Sequence, residues 1–160
     1  MRLTKFSDYA LRLLMYAAAS GDRLATIDAA AAAYGVSRAH LTKIVTTLVR
    51  EGFLEGVRGR SGGFRLARPA AEIRLGDVLR ATEPDFDMVE CFATGETCVV
   101  SGCCRLPRVM QQGLDAFLAV FDGVTLADVA LAPDAFLIPI RDDAPRVPRP
   151  TPGSGTPEAG

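Results

Sequence analysis

Every cysteine of the 160-residue chain falls in one short stretch, Cys91-Phe-Ala-Thr-Gly-Glu-Thr-Cys98-Val-Val-Ser-Gly-Cys103-Cys104. Thiolates select soft centres, so four thiols on a glycine-bearing loop point to zinc, copper(I) or an iron-sulfur cluster rather than to calcium or magnesium. The spacing Cys91-x6-Cys98-x5-Cys104 lacks the paired Cys-x-x-Cys of a zinc ribbon. Slack between ligands suits an iron-sulfur cluster, whose thiolates must reach irons that stand apart. Two adjacent thiols are poorly placed to ligate equally, so Cys103 is expected to be a spare ligand or an oxidation-prone thiol. Catalysis fits the chain poorly. Its single histidine, His40, leaves no Cys/His or Ser/His/Asp arrangement to assemble. Gly59, Gly62 and Gly63 precede no helix start, so they do not form a phosphate loop.

A metal loop needs elements to hold it. No apolar run approaches the roughly 20 residues of a membrane helix, and the amino terminus has no signal-peptide core. A cytoplasmic location without membrane contact is therefore expected, and in that reducing compartment clustered cysteines serve metals or redox chemistry rather than structural disulfides. The net charge of -1 conceals two unlike halves: residues 1–80 carry 13 Lys/Arg against 7 Asp/Glu, and residues 81–160 carry 5 against 12. A basic half suits a polyanionic partner.

In the basic half, residues 5–20 have the apolar spacing of a helix (Leu11, Leu14, Met15, Ala18) that Gly21 ends. Asp8 stands in its first turn, where the unpaired amides favour a carboxylate. Thr26 caps a second helix over Ile27–Tyr34, and Gly35 supplies its left-handed stop. Ser37 caps a third helix over about 38–51. This is a helix-turn-helix, and Ser37, Arg38, His40 and Lys43 at the start of its second helix are expected to face DNA. Leu41, Ile44, Val45 and Leu48 form the inward face. Residues 53–58 and 63–66 alternate as a hairpin around Gly59-Arg60-Ser61-Gly62, a wing whose Arg58, Arg60 and Ser61 can reach phosphates or a narrow minor groove. A further helix is expected over Ile73–Thr82.

The fold class read from this order is mainly α with a small β-hairpin wing. A winged helix-turn-helix domain (1–82) is followed by a cysteine loop (83–104), then by a long helix and a short one (105–132). Along the long helix, Leu106, Val109, Met110, Gly113, Leu114, Phe117, Leu118 and Phe121 make one apolar stripe. Its expected cover is the same helix of a second chain, in a two-fold dimer matched to palindromic half-sites. Residues 133–160 hold 7 of the 10 prolines and form a tail expected to be disordered from about Ala144.

Met1-Arg-Leu-Thr-Lys-Phe-Ser-Asp8-Tyr-Ala-Leu-Arg12, Tyr34-Gly-Val-Ser-Arg-Ala-His40-Leu-Thr-Lys43-Ile, Val57-Arg-Gly-Arg-Ser-Gly-Gly63-Phe-Arg-Leu and the cysteine loop together resemble the NsrR-type, nitric-oxide-sensing repressors of the Rrf family of winged-helix regulators. The resemblance covers about residues 1–132. It implies a homodimeric repressor with an iron-sulfur cluster, of the four-iron four-sulfur rather than the two-iron two-sulfur type. Cys91, Cys98 and Cys104 would be its thiolate ligands and Asp8 of the partner subunit the fourth, with Arg12 one turn later holding Asp8 in place. Nitric oxide would destroy the cluster and release a palindromic AT-rich operator, derepressing genes for nitric-oxide detoxification. The family's regulator of iron-sulfur assembly would carry a histidine ligand where this chain has Pro107. Two other readings remain: a redox or iron-availability regulator using a two-iron cluster or a thiol switch, and a zinc-stabilised interaction module.

Overall fold

The computed structural model describes residues 2–59, 62–89, 100 and 104–136. Helix α1 (Lys5–Ser20) is the central element and touches the helices Arg38–Arg50, Leu75–Thr82 and Leu126–Val129 and the strand Gly63–Leu66. Its start is set locally: the Thr4 side chain accepts the Ser7 amide at 3.2 Å, satisfying one of the orphan donors of the first turn. Ala10, Leu13, Leu14, Tyr16 and Ala17 are buried. Burying each leucine is worth about 1.5–3 kcal/mol, which is what holds this helix at the centre.

Helices α2 (Ile27–Tyr34) and α3 (Arg38–Arg50) meet at a turn in which Gly35 takes φ 63° and ψ 35°. Thr26 and Ser37 cap them, accepting the Ala29 and His40 amides at 3.2 and 3.3 Å. Leu41, Ile44 and Leu48 of α3 are fully buried against α1 and the hairpin, while Val45 is only partly buried. Strands β1 (Leu54–Val57) and β2 (Gly63–Leu66) pair antiparallel, with Leu54 opposite Leu66 and Val57 opposite Gly63. Ala25 adds a bridge to Phe64 through two backbone hydrogen bonds of 2.9 and 2.8 Å, tying the segment before α2 to the wing.

A 3-10 turn (Ala70–Glu72) leads into α4, which spans Leu75–Thr82 rather than starting at Ile73. The reason is tertiary. Arg74 is extended and bridges to Thr125, and the Ile73 carbonyl accepts the Leu126 amide at 2.8 Å, so these two residues pair across the chain instead of joining the helix. The long helix α5 (Leu106–Asp122) leads through Gly123 to α6 (Leu126–Val129), which Thr125 and Asp128 close as a capping box. Arg80 donates to both carboxylate oxygens of Asp122 at 2.6 and 2.8 Å, which holds the carboxyl of Asp122 below its ordinary pKa and clamps the end of α5 on α4. Residues 133–136, placed with the tail from sequence, form a 3-10 turn (Pro133–Ala135) and set Phe136 edge-on against Tyr16, ring centroids 5.5 Å apart.

Candidate functional site

The exposed face of α3 carries Ala39, Thr42, Lys43, Thr46 and Arg50, opposite the buried Leu41, Ile44 and Leu48. Ser37 and Arg38, expected from sequence to face DNA, are exposed at its start. Thr42 and Thr46 were not singled out from sequence, although they stand beside Lys43 on the helical wheel. Their hydroxyls donate to the Arg38 and Thr42 carbonyls at 2.9 and 2.8 Å, which fixes them along this face. His40 is placed differently. Its ring packs edge-on against Phe6 and Tyr9 of α1, at 6.3 and 5.8 Å, and its Nε2 is buried without a hydrogen-bond partner. The imidazole therefore joins α3 to α1.

The basic residues divide into two groups. Arg65 donates to Glu55 across the hairpin at 2.9 Å with most of its side chain covered, and the Arg68 guanidinium lies 5.1 Å from the Phe53 ring centroid. Both serve the wing's own packing. Arg38, Lys43 and Arg58 are exposed on the surface shared by α3 and the wing, while Arg60 and Ser61 lie outside the described residues. Arg38 and Arg58 line one groove of about 800 Å³ between α2, α3 and the hairpin, floored by Val45, Val57 and Phe64. In it the Arg38 Nη1 sits 3.0 Å from the Asp28 Oδ1.

On α1, Arg12 donates to Asp8 Oδ1 at 2.9 Å, one turn apart on one face, and this bond with the opposing effect of burial leaves the guanidinium's pKa above its ordinary value. Both side chains are about half exposed, at 49% and 45%. The Arg12 guanidinium also lies against the rings of Tyr9 and Tyr34, 5.5 and 6.0 Å from their centroids, and the Tyr34 hydroxyl donates to the Arg12 carbonyl at 2.9 Å. Arg12 is thus held on three sides, and it holds Asp8 open to the surface. At the helix start, the Thr4 amide and hydroxyl donate to one Glu83 oxygen at 2.8 and 3.1 Å, fastening α1 to the point where the chain leaves α4 for the cysteine loop.

Cys104 is an exposed thiol just before α5, its amide donating to the Val100 carbonyl at 2.9 Å. Cys91, Cys98 and Cys103 lie outside the described residues, and among the described residues no three His, Cys, Asp or Glu side chains gather as a metal site.

The chain matches the Rrf2 family, described as "Iron-dependent Transcriptional regulator", over residues 3–132. It belongs to the Rrf2 family. Two relatives match over most of their length. "Protein aau3" of Rhizobium meliloti (strain 1021) is 49% identical over 82% of this chain and 86% of its own. The "HTH-type transcriptional regulator NsrR" of Geobacillus kaustophilus (strain HTA426) is 46% identical over 81% of this chain and 89% of its own. Among solved structures, the oxidised form of Staphylococcus aureus CymR superposes with a TM-score of 0.66 at 26% identity, covering 81% of this chain and 96% of that one. The protein is thus an Rrf2-family transcriptional regulator with the winged-helix architecture expected from its sequence, and the names point to regulation rather than to an enzyme. Among the described residues no helix is long and apolar enough to cross a membrane.

Proposed function

We propose that this Rrf2 regulator is a homodimeric repressor that binds double-stranded DNA and releases it on exposure to nitric oxide. Its sensor would be an iron-sulfur cluster held by Cys91, Cys98 and Cys104 with Asp8 of the partner subunit as the oxygen ligand, and Cys103 would stand by as a spare thiol. When bound, such a cluster supplies irons that react with nitric oxide. One observation carries the reading: α1 presents Asp8, oriented by Arg12, on one side, while Phe6 and Tyr9 of the same helix grip His40 of the reading helix. A pull on Asp8 is therefore felt by α3. The Thr4–Glu83 bonds tie the same helix to the start of the cysteine loop. The Rrf2 relative named NsrR supports the choice of signal. Regulation requires only that the loaded and unloaded dimers differ in DNA affinity, since equal affinities would shift nothing.

The dimer is supported by α5, where Leu106, Val109 and Val120 are exposed at 54%, 59% and 65%. A second reading is a redox or iron-availability regulator using a two-iron cluster or a thiol switch through Cys103, beside which the Cys104 thiol is exposed. Anaerobic purification followed by iron, sulfide and zinc analysis separates these, and a zinc-stabilised interaction module as well. Gel shifts on duplex DNA with and without nitric oxide then test the signal. The expected result is coloured, sulfide-containing protein whose DNA complex is lost on nitric-oxide addition, with Asp8→Ala folded but altered in cluster retention or nitric-oxide response. Colourless, zinc-loaded protein, or DNA binding indifferent to nitric oxide, sinks the proposal.

A further inference from the structure

The groove between α2, α3 and the wing contains a carboxylate on a surface that otherwise offers cations. Asp28 lies in the first turn of α2 and Arg38 in the first turn of α3, brought together by the Gly35 turn. Their side chains are 68% and 69% exposed, so the pair stands open to whatever fills the groove. The contact uses one guanidinium nitrogen, Nη1, and leaves the other N–H groups of Arg38 available. Arg58 lines the same groove from the wing side. A DNA strand passing between a reading helix in the major groove and a wing in the adjacent minor groove must run along such a channel.

From this geometry we infer that Asp28 is a specificity-determining residue, which holds Arg38 in position to read a base edge and repels a phosphate from the same guanidinium. The inference rests on the reading of α3 and the wing as the DNA interface. Non-specific binding is almost wholly phosphate electrostatics, and a carboxylate at the channel wall opposes it directly. Specific binding by arginine requires the planar fork to present two N–H groups to a guanine. The ion pair at Nη1 biases the guanidinium toward one orientation before DNA arrives, which favours that geometry. On its operator the protein gains from Asp28, and on mixed sequence it loses.

The test uses the full-length protein with two 30-bp duplexes, one of mixed sequence and one that the wild type enriches from a randomised pool. Binding is measured by fluorescence anisotropy across a salt series. Asp28→Asn keeps the Thr26 cap and is expected to fold, with a melting temperature lowered by no more than about 5 °C for the lost first-turn carboxylate. On the mixed duplex its affinity should rise roughly 5- to 10-fold at about 0.1 M salt for each protomer engaged, with a log K against log salt slope steeper by about 0.9 per protomer. On the enriched duplex its affinity should stay level or fall, so the ratio of specific to non-specific binding collapses. In an Arg38→Ala background the same change should no longer alter that ratio. Equal gains on both duplexes, or no change on the mixed one, overturn the role of Asp28 while leaving DNA binding intact. A wild type that enriches no duplex from the pool and does not bind the mixed one overturns the interface as well.

Discussion

At the scale of single residues, the ring around Arg12 is where the chemistry is most constrained. Burial pushes the Tyr34 phenol from 10.0 up to about 12, against the lowering effect of the Arg12 charge, and Tyr16 also raises it. The folded state favours the neutral phenol, so this stabilisation is fully present below pH 10.0 and is lost as pH rises toward about 12. A tyrosinate absorbance titration should show late steps from Tyr16 and Tyr34, both raised chiefly by burial, of which Tyr34→Phe removes the one at about 12. An unchanged alkaline limb in the variant would mean that the phenol is not held in this pocket. Asp8 is legible as a functional candidate only through resemblance, because a carboxylate in the first turn of a helix has an ordinary electrostatic reason to be there. Its orientation by Arg12 follows from the four-residue spacing and could be read from sequence. The stacking of Arg12 on Tyr34 spans 22 positions and could not.

At the scale of elements, the wing depends on contacts outside its own hairpin. A Cβ at Gly63 would collide with the Ala25 carbonyl oxygen and stand 3.1 Å from Leu24 Cβ. These neighbours include backbone fixed by the Ala25–Phe64 bridge, so they cannot swing aside. Gly63→Ala is expected to cost about 1–3 kcal/mol, the usual penalty for overpacking. Thermal unfolding should show the loss, and faster amide exchange at Ala25 and Phe64 should place it at the bridge. A variant with wild-type melting and wild-type protection there would contradict this account. The hairpin itself was readable from alternation and glycines. Its attachment to the segment before α2 was not, because a single bridge residue leaves no periodic signal.

At the scale of the whole molecule, α5 divides the apolar stripe read from sequence. Leu114 is buried and Phe121 packs on the core, whereas Leu106 and Val109 remain uncovered on an adjoining face, joined there by Val120, which the stripe did not include. One side of the helix thus belongs to its own chain, and the other is offered to a second copy in the dimer proposed above. Val109→Glu combined with Val120→Glu should convert a dimer to a monomer in sedimentation velocity. Because two linked reading heads bind far better than one, operator affinity should fall on the order of 100-fold. Persistence of the dimer in the double variant, or a monomeric wild type at micromolar concentration, would exclude this face.

The sequence by itself determined what depends on neighbours within a turn or two. Thr26 and Ser37 cap helices because each bonds an amide three residues on, Gly35 turns because it can take positive φ, and Leu41, Ile44 and Leu48 point inward because they share one helical face. It also displayed the cysteine cluster and the basic half. Only the tertiary structure decided which charges are already engaged and which side chains turn away from the expected partner. Arg65 and Arg68 serve the wing, His40 faces α1, Arg38 meets Asp28, and α4 begins at Leu75 because Ile73 and Arg74 pair with Leu126 and Thr125. Apart from the cross-strand Arg65–Glu55 pair, these outcomes come from contacts made only when separate elements pack, and such contacts leave no mark in local spacing or composition.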